Sequence, residues 1–511
     1  MATGVPEAER DLVETGEGRA QGEEKKKGER EDGRVELEDH DAWDKLGYSF
    51  PTWRKWQILS VVFCIQISMN LNASMYANGV QKIAKQHKVS AQVARIPQML
   101  FLVAYAFGCE LWAPWSEEYG RWPIQQSSLF LVNIWQIPCA LAPNFGTYCI
   151  CRFLGGLSTA GGSVTLGVLA DMWEPDEQEY AVAFLVLSSV GGSVVGAVVG
   201  GFVEAYKSLP WIFWMQLIIG GGVQAIHFFA NPETRATILL DREAKRRRKA
   251  GETHIYGPNE IDGRGMTFKQ VWVIWSRPFY MFVTEPIVLW LSLLSGFSDA
   301  LIFTFLQSFQ LVYKQWGFKT VGITLAFIPK IRRRDPDALL PEVRLWWLLF
   351  LAPLETIGLF GFAWTSLGPT HGIPWIAPMI FSTLVGIANY AIYQSSIDYM
   401  TAAYGPYAAS ATGGNDLARD FLAGIAALYS TPMYTNIPHK PLEWASTILA
   451  CIAIIVTIPI YIFYKKGPQI RERSKFAQSI GAKRMETKRR RKSSVGTGAA
   501  EKSEAEHFEN V

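Results

Sequence analysis

Residues 182–203 read VAFLVLSSVGGSVVGAVVGGFV, without one ionisable side chain. About 18 or more apolar residues, wound as a helix, are enough to cross a hydrocarbon core of roughly 30 Å. This stretch is therefore a membrane span, and it is not alone. Comparable runs recur at roughly 56–80, 95–115, 123–143, 147–170 and 210–230. A second set lies near 279–312, 343–366, 374–400, 408–432 and 444–464, with a short apolar stub at 321–329. Charged residues make up only 19% of the 511 positions, and they crowd into the first 50, the 231–277 region and the last 45. The mean hydropathy of +0.09 averages a greasy body with polar tails. A single soluble domain and a single-anchor protein are both excluded. The expected fold is an all-α polytopic membrane protein.

Six spans, a charged linker and about six more point to two halves related by a pseudo-two-fold repeat. The expected organisation is a disordered cytoplasmic tail over 1–50, a six-helix bundle over 51–235, and a cytoplasmic central loop over 236–277. A second bundle over 278–466 and a basic cytoplasmic tail over 467–511 follow. The N-terminal tail carries too little apolar surface to offset ordering entropy. It also lacks the apolar core of a signal peptide, so the first span acts as the insertion signal. Arg54 and Lys55, Arg121, AKRRRKAG at 244–251, KIRRR at 330–334 and YKKGPQIRERSK at 464–475 put both tails in the cytoplasm. Lys82, Lys85 and Lys88 fit that orientation less well, as does the acidic 171–180 loop, although acidic residues weigh little in the rule.

Several function classes drop out. The net charge of +3 sums an acidic tail and a basic one, and KRMETKRRRKSS reads as topology and lipid attraction rather than nucleic-acid binding. The six cysteines lie in apolar runs, with no disulfide framework or metal spacing. The seven histidines are scattered, which removes a di-iron desaturase. No GxxxxGK[ST] motif is present, which removes a primary pump.

The 2–3 connection reads GCELWAPWSEEYGR over 108–121. Glu117 and Arg121 stand at i and i+4 around the turn residue Gly120, a spacing that allows a charge-assisted latch opening as two halves rock. An exposed pair of that kind is often worth under about 1 kcal/mol, so an ordinary loop pair is the competing reading. Arg152 in CRFLGG lies just inside the fourth span, and Gly192, Gly196 and Gly200 form a small-residue ladder in the fifth. Such ladders also serve helix packing alone. The sixth span ends in Asn231-Pro232-Glu233-Thr234-Arg235.

Together these segments resemble the major facilitator superfamily, and within it the fungal drug:proton antiporters with twelve spans. The acid–any–any–Gly–Arg core, the RxxxG motif at Arg152, GxxxGAxxGG (Ala197 standing for the usual proline) and the PET boundary carry the likeness. So do TEPIVLWLSLLSGFSDALIFTF, RDPDALLPEVRLWWLLFLAPLETIGLFGFAWTS and YGPYAASATGGNDLARDF. Glu118 and Trp122 replace basic residues usual in that family, which weakens the latch. The resemblance spans about residues 45–480. It implies a non-enzymatic, proton-driven monomeric exporter in the plasma membrane rather than the vacuolar one, with no cofactor beyond the gradient. Drugs, toxins, other secondary metabolites and polyamines are the implied small-molecule substrates. An uptake permease, or a nutrient sensor on the same scaffold, is the alternative.

Ionisable groups within spans are the sharpest signal, because each must face a cavity or a partner. They include Glu110, Arg152, Glu285, Asp299, Glu355 and Asp398, with His227 near a span end. Asp299, mid-way along the seventh span, is the favoured proton or substrate site, and Arg152 the fixed charge of the first half. Glu285 and Glu355 adjoin prolines and are equally placed to satisfy kinked backbone. Asn72 and Tyr76 in the first span, with Tyr390, Tyr393 and Gln394 in the tenth, put polar groups at helical spacing on a cavity wall. One departure from the family stands out: nine residues, Val321–Pro329, replace an eighth span. They rise only about 13 Å, so the chain is expected to have eleven full spans and a stub.

Overall fold

The structure is a computed structural model that describes residues 34–37, 39–173, 178–261, 268–313, 315, 345–404, 408–471 and 473–474. Val321–Pro329 and the Arg332–Arg334 cluster lie outside the described residues, as do residues 1–33 and 475–511. The chain divides into two compact units, one of residues 1–50 with 235–265 and one of 51–234 with 266–511.

The larger unit is a helical bundle. Its first set comprises α1 (Thr52–His87), α2 (Ile96–Glu118), α3 (Arg121–Ile134), α4 (Gln136–Ala140), α5 (Phe145–Leu157), α6 (Gly161–Ala170), α7 (Glu179–Tyr206) and α8 (Pro210–Ala230). Among the described residues, eight helices of the bundle are long and apolar enough to cross a membrane. Two expected spans are instead broken. The third divides at Trp135 into α3 and α4, and the fourth at residues 158–160 into α5 and α6. Backbone groups freed by a break must find new partners in an apolar medium. Ser128 supplies them: its hydroxyl donates to the Ser158 carbonyl at 2.8 Å and accepts the Ala160 N–H at 2.9 Å.

Glycines set how closely these helices approach. Gly192, Gly196 and Gly200 lie against Asn70, Ser74 and Asn78 of α1, and a Cβ at Gly196 would stand 2.9 Å from the Leu71 Cα. No side chain fits there without moving backbone. The same device joins α2 to α5, where Gly156 meets the Phe101 carbonyl.

The smaller unit contains α9 (Ala236–Lys249) and α10 (Pro258–Ile261) with a two-residue parallel pairing of Val35–Glu36 and Ile255–Tyr256. Leu37, Ala42 and Leu46 pack with Leu240 and Ala244 in a small core of their own. Residues 34–37, 39–50 and 236–261, expected as disordered tail and loop, instead carry these short elements and this core. The few apolar residues of the tail find a partner in the apolar face of α9, which no local pattern announces.

The second set of the bundle follows: α11 (Phe268–Thr284), α12 (Pro286–Tyr313), α13 (Trp346–Thr365), α14 (Ile376–Tyr404), α15 (Ala408–Asn436) and α16 (Pro441–Arg471). The expected seventh span over 279–312 is corrected here. Pro286 has no N–H to continue a helix, so α11 ends at Thr284 and α12 begins anew. α15 carries the expected eleventh span but is too polar to count among the eight apolar helices. α12 packs along α15, where a Cβ at Gly296 would lie 2.9 Å from the Ala418 carbonyl. An apolar core joins the two sets: Ile65, Met69, Phe101 and Tyr105 pack with Ala300, Phe303, Ala423 and Ala426.

Candidate functional site

Two buried polar centres flank that shared core. The first lies in the second helix set. Asp416, Arg419 and Asp420 occupy positions i, i+3 and i+4 of α15 and so share one face. Arg419 is 3% exposed and stands 3.7 Å from Asp416, 3.6 Å from Asp420 and 3.9 Å from Asp299 of α12. Tyr393 of α14 completes the group: its hydroxyl donates to Asp416 Oδ1 at 3.1 Å, and its ring lies 4.3 Å from the guanidinium carbon. Three carboxylates thus surround one guanidinium at distances longer than ordinary hydrogen bonds, and among the described residues Asp416 Oδ2 and Asp420 Oδ2 have no hydrogen-bond partner. One positive charge balances one carboxylate. A sealed site must hold protons or cations for the others.

Two more acids reach this region. Glu110 of α2 packs against Gly413 of α15, three residues before Asp416. Glu355 of α13 is fully buried and accepts from Ser298, the residue beside Asp299; Asn389 of α14 donates to the same Ser298 hydroxyl at 3.0 Å. Glu355 therefore has a side-chain partner, and its Oε2 has none.

The second centre lies in the first helix set around Arg152 of α5, which is 1% exposed. Its Nη2 donates to the Asn72 carbonyl at 2.7 Å, and the rings of Tyr76 and Phe101 lie 5.0 and 4.0 Å from its central carbon. Tyr76 donates to the Ala94 carbonyl at 3.0 Å. Asn72, Tyr76 and Arg152 are thus brought together, as are Asp299 and Tyr393.

The other expected cavity residues are not. Glu285 accepts from Tyr404 at 3.2 Å, and 14 residues of helix, about 21 Å, separate it from Asp299. It closes the α11–α12 junction against the last residue of α14. Tyr390 donates to the Ala183 carbonyl of α7 at 3.0 Å, and Gln394 donates to Asp398 at 3.1 Å. The expected gate also changes partner. Arg121 does not pair with Glu117. Its Nε bonds Asp171 at 3.0 Å, its Nη1 bonds Ser116 at 2.6 Å, and its backbone N–H donates to Glu233 at 2.9 Å. Glu233 also accepts the Trp122 N–H at 3.2 Å, so it caps α3, and Gly120 takes a φ of +103° where this carboxylate leaves no room for a Cβ. Spacing favoured Glu117 because it stands only four residues before Arg121 in the chain. Asp171 and Glu233 reach Arg121 only through tertiary packing.

Asp416, Arg419 and Asp420 were missed although the signal was present, as three ionisable residues inside the expected 408–432 span. Hydrogen bonds tie the two helix sets at both ends of the bundle. At one end Gln92 donates to the Leu428 carbonyl at 2.6 Å and Arg95 to Gln307 at 3.1 Å; at the other, Trp275 donates to the Leu111 carbonyl at 3.2 Å.

A bundle of apolar helices with two buried polar centres beside the core shared by its two helix sets is the build of a polytopic membrane transporter. Residues 62–428 match the model of the Major Facilitator Superfamily, and the chain belongs to that family. It is 30% identical to the MFS-type transporter paaT of Penicillium rubens, over 83% of this chain and 80% of that one. It is 28% identical to the citrinin biosynthesis cluster MFS transporter mrr1 of Monascus ruber, over 85% and 92% of the two chains. The fold is similar to that of the xylose transporter XylE from E. coli in a partially occluded inward-open conformation, with a TM-score of 0.55 and 15% identity, covering 81% and 98%. The chain is therefore a multi-pass MFS transporter.

Proposed function

We propose that this transporter exports amphiphilic small molecules of the secondary-metabolite kind from the cell across the plasma membrane, as a monomer, in exchange for protons. The observation that carries the reading is the excess of acid around Arg419. Asp299, Asp416 and Asp420 compete for one guanidinium, so the group gains or loses protons as water reaches it or leaves. Protons arriving from an acidic exterior would neutralise Asp299 as cargo departs. Rocking of the two helix sets would expose the centre to each side in turn, breaking the Arg95–Gln307 bond in one state and the Trp275–Leu111 bond in the other. The metabolite class is supported by relatives whose names place them in biosynthesis clusters, those of citrinin and ascochitine. Drugs and polyamines remain in the substrate panel on family likeness. The test is transport by purified protein in proteoliposomes loaded with a pH-sensitive dye, under an imposed proton gradient, against citrinin, an azole fungicide and spermidine. Substrate-dependent proton movement is expected with at least one of them. No movement with any would overturn the reading.

A further inference from the structure

The centre around Arg152 has the opposite character from the acid cluster. Among the described residues no carboxylate pairs with Arg152, and its Nε and Nη1 have no hydrogen-bond partner. An uncompensated charge is not left in an apolar interior without cause: it is either neutralised or kept for a counterion that comes and goes. A guanidinium cannot be deprotonated in practice, so the first route is closed. Tyr76 and Phe101 place ring systems against the cation and take up part of its charge without occupying its N–H donors. A further unmet group lies on the helix that carries Phe101. Both polar atoms of Gln98, its NH2 donor among them, are unpartnered among the described residues. Gln98 is 1% exposed and sits one turn before Phe101, on the same face of α2. Free cationic N–H donors, a free amide and aromatic walls are what a planar organic anion needs: charge-assisted bonds to its oxygens and apolar cover for its body.

We propose that Arg152 anchors the anionic group of the cargo, so that the transported molecules are amphiphilic organic acids carried as carboxylates or comparable oxyanions. This deepens the export reading above and rests on it for the direction of movement. Phe101 links the anchor to access, because the ring that covers Arg152 also belongs to the apolar core shared with α12 and α15. Movement of one helix set against the other removes the second-set packing that backs that ring over the guanidinium. Export of an anion also runs with the inside-negative membrane potential, so each charge carried outward adds to the drive of the proton gradient.

The test is equilibrium binding to the full-length protein in detergent at neutral pH with no gradient present. The probes are benzoate, phenylacetate and 2-naphthoate, each beside its neutral amide and its amine. At least one carboxylate is expected to bind about tenfold or more tighter than its amide, with the amine weaker still. In Arg152→Gln the carboxylate affinity should fall to about that of the amide, and Arg152→Lys should restore part of the difference. Carboxylates binding no better than their amides in the wild-type protein would overturn the proposal without any variant. So would an Arg152→Gln protein that keeps the preference, or one that loses acid and amide affinity alike while remaining folded. Because binding is read without a gradient, failure of proton coupling leaves this result untouched. A wild-type protein without a carboxylate preference would still show or fail to show proton coupling in the separate proteoliposome assay.

Discussion

Asp171→Asn tests the structure against the motif spacing most sharply. The carboxylate of Asp171 and the guanidinium of Arg121 lie 3.0 Å apart, with side chains 8% and 7% exposed. At an effective dielectric of about 20 their attraction is about 5–6 kcal/mol. An asparagine keeps an acceptor oxygen for Nε and is cheaper to bury, so the expected loss is nearer 3 kcal/mol, the lower edge for breaking a buried pair. Arg121→Gln should lose a similar amount. The double variant should lose about as much as either single, since each change alone strands the other's charge. Glu117→Gln should cost under about 0.5 kcal/mol, because Glu117 is not the partner of Arg121. Stability would be read by SDS-titrated unfolding in mixed micelles, followed by tryptophan fluorescence. If Glu117→Gln is as damaging as Asp171→Asn, or if the two single losses add in the double variant, the assignment of Asp171 as the partner fails.

Further outcomes follow from other contacts. Gly196→Val should destabilise the bundle by about 1–3 kcal/mol in the same assay, because its side chain would press on α1 backbone near Leu71. Arg95→Ala removes the bond to Gln307 and should shift the open–closed balance of that end by about tenfold, seen as a broadened spin-label distance between α2 and α15. In the smaller unit, hydrogen bonding to Arg248 holds the Glu260 carboxyl below its ordinary value of 4.5. A lowered folded value means stability present above pH 4.5 and lost as pH falls below it. The unit should loosen in that window by under about 1 kcal/mol, measured by amide hydrogen exchange, and Glu260→Gln should flatten the dependence.

The elements that local chemistry dictates were legible in the sequence. Charge-free runs such as 182–203 became continuous helices, and the glycines at 192, 196 and 200 became a contact face. The break at Ser158 was not legible, because its freed backbone groups are met by Ser128 reaching across from another helix. The restart at Pro286 could have been read from the proline itself. At the site, Asp299 and Arg152 stood out as isolated charges in apolar runs. Partnership did not: spacing along one helix cannot show that Arg419 meets Asp299, or that Arg152 meets no acid among the described residues. Glu285 was misplaced for the same reason, since a charge in an apolar stretch looks alike at a helix junction and in a cavity.

The most direct test of proton coupling through the acid cluster compares two transport modes in proteoliposomes containing Asp299→Asn, Asp416→Asn or Asp420→Asn. Counterflow exchanges labelled for unlabelled cargo with no net driving force, whereas uphill transport requires a proton to be carried at each cycle. The cargo is whichever panel compound the wild-type protein moves. At least one of these variants should keep counterflow near the wild-type rate while proton-driven accumulation falls at least tenfold. Uphill transport at wild-type levels in all three variants would contradict it.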